Sequence, residues 1–228
     1  MRLLQGYGQT ETAPLVSCNP PKRIRIETVG PACKGVEVKI AEDGEILVRG
    51  ELMMQGYWNN PLASAEVLRG GWVHTGDIGV IDPDNYIRIT DRKKDIIVVS
   101  GGDNVSPARI EGLLIAEPEI EQAMVHGDKR PHLVALLVPR ASYIDHWVRT
   151  TGKTSELAAL AHDDSFARSL QAAVDRVNAR LSPIEKIRRF ALAEAPFSIE
   201  NGMLTPKMSI RRHKIRERYG KMIDALYG

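Results

Sequence analysis

A few short segments of the 228-residue chain carry side chains whose types and spacing could do chemistry. In GYGQTET (6–12), Gly6 and Gly8 bracket Tyr7. The backbone there can approach a flat ligand closely, and the ring offers a stacking face. Thr10 and Glu11 add a hydroxyl and a carboxylate, a pairing suited to phosphate and magnesium, although a polar loop would carry the same letters. HTGD (74–77) sets Asp77 in a glycine-containing turn at a strand end, where a carboxylate can accept both hydroxyls of a ribose or serve only the turn. SGGDN (100–104) brings Gly101 and Gly102 after a strand, giving either close backbone approach to a ligand or a tight turn. NGMLTPKMSIRR (201–212) places Lys207 and Ser209 at an expected helix start ahead of two arginines. Such an end attracts anions, while a capped helix with solvated basic residues reads the same way. TTGKT (150–154) resembles the end of a phosphate-binding loop, but Trp147 stands where that motif needs glycine, so a loop between helices is expected.

The elements that must position these residues differ between the two halves. GVEVKI (35–40) and EILVRG (45–50) flank the turn AEDG as a hairpin. WVHT (72–75), IGVI (78–81) and YIRIT (86–90) read as three further strands, the last two joined by DPDN, with a helix over ASAEVLR (63–69). Short strands at close spacing suggest a small barrel-like cluster. Beyond the charged DRKKD (91–95), the strand IIVV (96–99) is followed by Ser106 and Pro107, a cap and first-turn pair opening the helix ARIEGLLIA. Strands at 121–127, 132–139 and 188–194, an amphipathic helix from Ser165 to Leu181 and a last helix after Pro206 complete an α+β module. The expected division is therefore 1–91 and 92–228.

Composition limits the function classes. Hydrophobic residues at 43% and charged ones at 26% suit a folded core. A net charge of +2 argues against a nucleic-acid binder. No apolar run reaches the roughly 18 residues of a membrane span, and the start MRLLQGYGQTE has no signal-peptide character. Cys18 and Cys33 lack metal-ligand spacing and read as free thiols, which points to a cytoplasmic protein. Residues 201–222 hold seven basic side chains against the single Glu217, so peripheral contact with anionic lipid stays open.

Taken in order, YGQTE, HTGD, DRKKDIIVVSGGDNVSPARIE and the lysine-bearing C-terminal segment resemble the adenylate-forming enzymes. GELMMQGYWNNP, GWVHTGDIG and NGMLTPKMSIRRHKIRERYGKMIDALY are similar to the AMP-forming long-chain fatty acyl-CoA ligases within that superfamily. The resemblance covers essentially the whole chain. It implies the end of a large α/β adenylating domain, with its barrel-like strand cluster, followed by a small mobile α+β domain. It further implies that a fatty acid and ATP–magnesium give an acyl-adenylate, and that coenzyme A then displaces AMP. By the same resemblance Tyr7, between Gly6 and Gly8, would stack on adenine, Thr10 would touch phosphate and Glu11 would help hold Mg2+. Asp77 and Arg92 would bind the ribose, Lys94 would be the hinge, and Gly101–Gly102 would line the pantetheine tunnel.

Two departures stand out. The family's catalytic lysine precedes an aliphatic-plus-two-basic run, and Ser209 occupies that place; Lys207, two residues earlier, is the expected substitute. The family's Ser/Thr/Gly-rich phosphate loop lies upstream of YGQTE and is not among these residues, so the expectation is a C-terminal portion that is inactive alone. Another adenylate-former, acting on an acyl carrier protein or an aryl acid, and a non-catalytic binding module are the alternatives. Acyl chain length and oligomeric state are not legible.

Overall fold

The computed structural model describes residues 3–228, which divide into two compact units, the first ending at Asp95 and the second running from Ile96 to Gly228. In the first unit, β1 (Gly6–Tyr7) pairs antiparallel with β2 (Ser17–Cys18). The main sheet follows: β3 (Val36–Ile40), β4 (Glu45–Gly50), helix α1 (Pro61–Val67), β5 (Leu68–Arg69), β6 (Trp72–Ile81) and β7 (Ile87–Arg92). Its order is β3-β4-β6-β5, with β7 also on β6, and every pairing is antiparallel. The β3–β4 hairpin closes at Gly44, whose φ of +83° suits the turn. Inward side chains of Tyr7, Val16, Ile46, Val48 and Ile87 form the core.

The two strands expected at 72–75 and 78–81 are one ten-residue strand. Gly76 (φ +70°) and a register shift between Ile78 and Gly79 curl it, so that β4 and β7 share its two edges in a half-barrel. The helix expected at 63–69 runs instead from Pro61 to Val67. Asn60 caps it by accepting from the Ala63 amide at 3.1 Å, and Leu68–Arg69 leave it to pair with Trp72 and Val73.

In the second unit, β8 (Ile97–Val98) and β9 (Asn104–Val105) make a small hairpin, shorter than the expected strand 96–99. Helix α2 (Pro107–Ile115), strands β10 (Ile120–His126) and β11 (Leu133–Pro139), helices α3 (Ala141–Thr151), α4 (Leu157–Leu160) and α5 (Asp164–Asn178), strand β12 (Ile187–Leu192) and helix α6 (Arg212–Ala225) follow. The sheet order is β10-β11-β12, antiparallel then parallel. Central β11 is buried on both faces, which is why it reads as a continuous apolar run. Leu133, Ala135 and Leu137 join the cluster under α2 and α5, and Val134, Leu136 and Val138 join the one under α6. Phe166, Leu170, Ala173, Val174 and Val177 supply the buried face of α5, as their spacing predicts.

The last helix does not begin after Pro206. It starts at Arg212, and residues 204–210 form a tight loop closed by a bridge between Leu204 and Ile210. Inside it the Thr205 hydroxyl accepts from the Ser209 amide at 3.1 Å, and Met208 takes a left-handed φ of +61°. Among the described residues no helix is long and apolar enough to cross a membrane.

Candidate functional site

The first unit draws Tyr7, Asp77 and Arg92 together. Asp77 sits on β6 directly opposite Arg92 on β7. Its Oδ2 accepts from the Tyr7 hydroxyl at 2.7 Å, and its Oδ1 lies 3.2 Å from Arg92 Nε. The Asp77 side chain is 8% exposed and that of Arg92 64%, so the guanidinium is a solvent-facing cover over a buried carboxylate. The Asp77 amide donates to Thr75 Oγ1 at 3.1 Å, and the Thr75 hydroxyl donates to the Ile46 carbonyl at 2.7 Å. Thr75, Gly76, Arg92, Lys93 and Lys94 line an adjoining cleft of about 410 Å³.

Tyr7 departs from its expected form. The ring is buried among the core residues Val16, Ile46, Val48 and Ile87, so the open stacking face anticipated for it is covered. What it presents to the site is its hydroxyl. Burial, reinforced by the hydrogen bond to Asp77, pushes its pKa well up, so the phenol stays a donor. Gly8 lies where the chain passes Pro14 so closely that a Cβ would come within 1.5 Å of the Pro14 carbonyl oxygen. Thr10 and Glu11 occupy the 3-10 turn Thr10–Thr12, Thr10 exposed and Glu11 half-buried. Glu11 Oε1 accepts from the Tyr57 hydroxyl at 2.8 Å. Among the described residues no cluster of three or more His, Cys, Asp or Glu could hold a metal by itself. Mg2+ in nucleotide sites takes one or two carboxylates plus phosphate oxygens, and Glu11 fits that share.

Sequence reasoning missed Glu45 and Lys93. Glu45 is 3% exposed, and its Oε1 accepts from the Gly76 amide at 2.9 Å. Its Oε2 lies 2.9 Å from Lys93 Nζ and 3.0 Å from His74 Nδ1. Burial raises the Glu45 pKa, but the bonds from His74, Lys93 and Gly76 outweigh it and hold the carboxyl below its usual range. Lys93 also pairs with Asp43 at 2.6 Å, and these two carboxylates push its pKa up. The available signal was an acid heading the otherwise apolar run EILV.

In the second unit, Gly101 and Gly102 are exposed in the turn of the β8–β9 hairpin, with Gly102 at φ +89°. Lys207 and Ser209 are exposed on the 204–210 loop and not at a helix N-terminus, which corrects the expectation for both. The loop is anchored behind them. Both terminal guanidinium nitrogens of Arg212 donate to the Glu111 carboxylate, at 2.7 and 2.8 Å, while Glu111 Oε1 also accepts from the Val125 amide at 2.7 Å.

Comparisons with known proteins fit this layout. A family model described as AMP-binding enzyme C-terminal domain matches residues 94–228, and one described as AMP-binding enzyme matches 1–58. A long-chain-fatty-acid–CoA ligase of Mycobacterium bovis is 38% identical over 229 residues, covering 100% of this chain and 38% of that protein. Long-chain-fatty-acid–CoA ligase 1 of Cavia porcellus is 31% identical over 238 residues, 98% of this chain and 34% of that one. The chain thus spans little more than a third of the length of these curated relatives. Among solved structures, the adenylation domain of a carboxylic acid reductase from Segniliparus rugosus, in complex with AMP and a carboxylic acid, superimposes with a TM-score of 0.76. It is 25% identical, over 100% of this chain and 35% of that one. With a family model covering more than half of its residues, the chain belongs to the AMP-binding enzymes of the adenylate-forming superfamily.

Proposed function

We propose that the chain serves an AMP-forming acid–CoA ligase acting on long-chain fatty acids, as its nucleotide-holding and hinge-bearing C-terminal portion. The observation that carries this reading is Asp77: a nearly buried carboxylate, held by Tyr7 and covered by the exposed Arg92, beside an open cleft. Each carboxylate oxygen keeps a second lone-pair direction, so movement of Arg92 leaves Asp77 able to accept two ribose hydroxyls. The ligase names of the relatives and the AMP in the reductase structure support the same reading.

In the proposed reaction the fatty-acid carboxylate attacks the α-phosphate of ATP and pyrophosphate leaves. The sulfur of coenzyme A then attacks the acyl carbon and AMP leaves. Thr10 would hold phosphate, and Glu11 would be the protein ligand of Mg2+, which offsets phosphate charge when bound. Lys207 is the cation proposed for the charge developing on the α-phosphate. Lys94 is the proposed hinge between the two half-reactions and Gly101–Gly102 the proposed wall of the thiol tunnel. A cytoplasmic setting belongs to the same proposal. A second reading, a binding module without turnover, is favoured by Ser209 in the usual lysine place and by the exposed turn that carries Lys207.

Calorimetry with AMP tests the nucleotide reading. Asp77→Ala is expected to weaken binding by about 2 kcal/mol, the scale for leaving buried hydroxyls unpaired. Equal affinity in the two proteins would sink the ribose assignment.

A further inference from the structure

We propose that Glu45 is the positioning residue of the ribose clamp: one buried carboxylate fixes both the turn that presents Asp77 and the strand end that presents Arg92. The inference rests on the ribose reading of Asp77 and adds a residue to it.

The strand register brings the three parts side by side. Glu45 on β4 faces Ile78 on β6, and Asp77 on β6 faces Arg92 on β7. Gly76, the residue before Asp77, donates its amide to Glu45 Oε1, and Lys93, the residue after Arg92, brings its ammonium to Oε2. The sequence neighbours of both clamp residues are therefore tied to the same side chain. Gly76 is in the left-handed region, which glycine enters without strain but also leaves freely, so a bond to its amide is what fixes the direction of the next carboxylate. His74 closes the arrangement on Oε2, and Asp43 holds Lys93 from its other side. An acid buried to this degree is a poor source of stability, because desolvation offsets most of the attraction. An apolar residue would fill the space as well, yet could not grip an amide and an ammonium at once. The geometry it imposes is what accounts for it.

The test uses AMP and 2′,3′-dideoxy-AMP as probes, with the whole chain and its Glu45→Gln, Glu45→Ala and Asp77→Ala variants. Glutamine still offers Gly76 an acceptor but loses the charge that holds Lys93, so AMP affinity should fall about threefold; alanine loses both, for about tenfold. The preference for AMP over the dideoxy compound should shrink in parallel, a readout that lost packing alone would not move. Gly76 amide exchange in the alanine variant, and trypsin cleavage after Lys93 in both variants, should each rise several-fold. A folded Glu45→Ala protein with wild-type AMP preference, while Asp77→Ala loses it, overturns the proposal. Should alanine at 45 prevent folding, Lys93→Met stands in, with the same threefold expectation and wild-type AMP affinity as the overturning result. If Asp77→Ala leaves AMP affinity unchanged, the ribose reading itself has failed. Exchange at Gly76 and cleavage at Lys93 then decide whether Glu45 braces the turn: acceleration supports it, and unchanged rates overturn it.

Discussion

At Gly8 the chain passes Pro14 with no room for a methyl group, and this fixes the ring of the preceding Tyr7 in the core with its hydroxyl on Asp77. The forced overlap should cost about 2 kcal/mol, within the usual range for overpacking. We expect Gly8→Ala to lower the melting temperature of the first unit by roughly 10 °C. Gly101→Ala, where the nearest atom would be the Asp103 carboxylate at 3.5 Å, should leave the second unit within about 2 °C. Paired thermal melts followed by circular dichroism check both. At this scale the structure sets Asp77 of HTGD beside Arg92 of DRKKD, and it buries the Tyr7 ring that the flanking glycines suggest would be open. An aromatic between glycines suggests an open ring, and only the packing of Val16, Ile46, Val48 and Ile87 around it shows which part faces the site. Glu45 escaped because an acid heading an apolar strand suits an exposed strand end as well as a buried one.

Elements were legible where local periodicity and tertiary structure agree. The β3–β4 hairpin and the buried face of α5 follow directly from turn letters and 3.6-residue spacing. The curl of β6 and the start of α6 do not. Gly76 takes a left-handed conformation with its amide on the distant Glu45, Met208 takes one inside a loop closed by its own amide on the Thr205 carbonyl, and Pro206, a familiar helix opener, sits in that loop, whose exit is held by the Arg212–Glu111 pair. One element junction has a pH consequence. His126 on β10 contacts Arg216 of α6, and burial, with the Arg216 charge behind it, lowers its pKa to about 4. Arg130 adds to the lowering, while Asp224 and Asp128 oppose it. The folded state therefore prefers neutral His126 more strongly than the unfolded chain does. That contribution is complete above about pH 6.5 and is lost as pH falls from there toward 4. Its upper bound is about 3 kcal/mol. Urea titrations across this range should show the second unit of His126→Gln losing less stability on acidification than wild type. Parallel pH slopes would contradict the assignment.

Over the whole chain, the end of the first compact unit, just before it gives way to the second at Ile96, is the place to probe. Arg92, Lys93 and Lys94 run together there, and Lys94 is exposed. Limited trypsin treatment of the native protein should give a first cut within 92–94 and two persistent fragments, because linking segments open at the least cost. Protection there with cuts elsewhere would argue against a hinge. Incubation with ATP, Mg2+, palmitate and coenzyme A should release no AMP above background, since the one Thr/Gly/Lys segment here, TTGKT, has Trp147 where a loop for the triphosphate needs glycine. Acid-dependent release would mean that other groups grip it. The doubly buried β11 bears on how the chain is handled. LVALLV is six uncharged, apolar residues in a row before Pro139 ends the run, and once unfolded it is the kind of segment that pairs with copies of itself. Arg130 upstream and Arg140 just after Pro139 act as gatekeepers at its ends. Refolding yield should therefore fall steeply with protein concentration, and denaturation by heat should end in aggregates sooner than denaturation by urea.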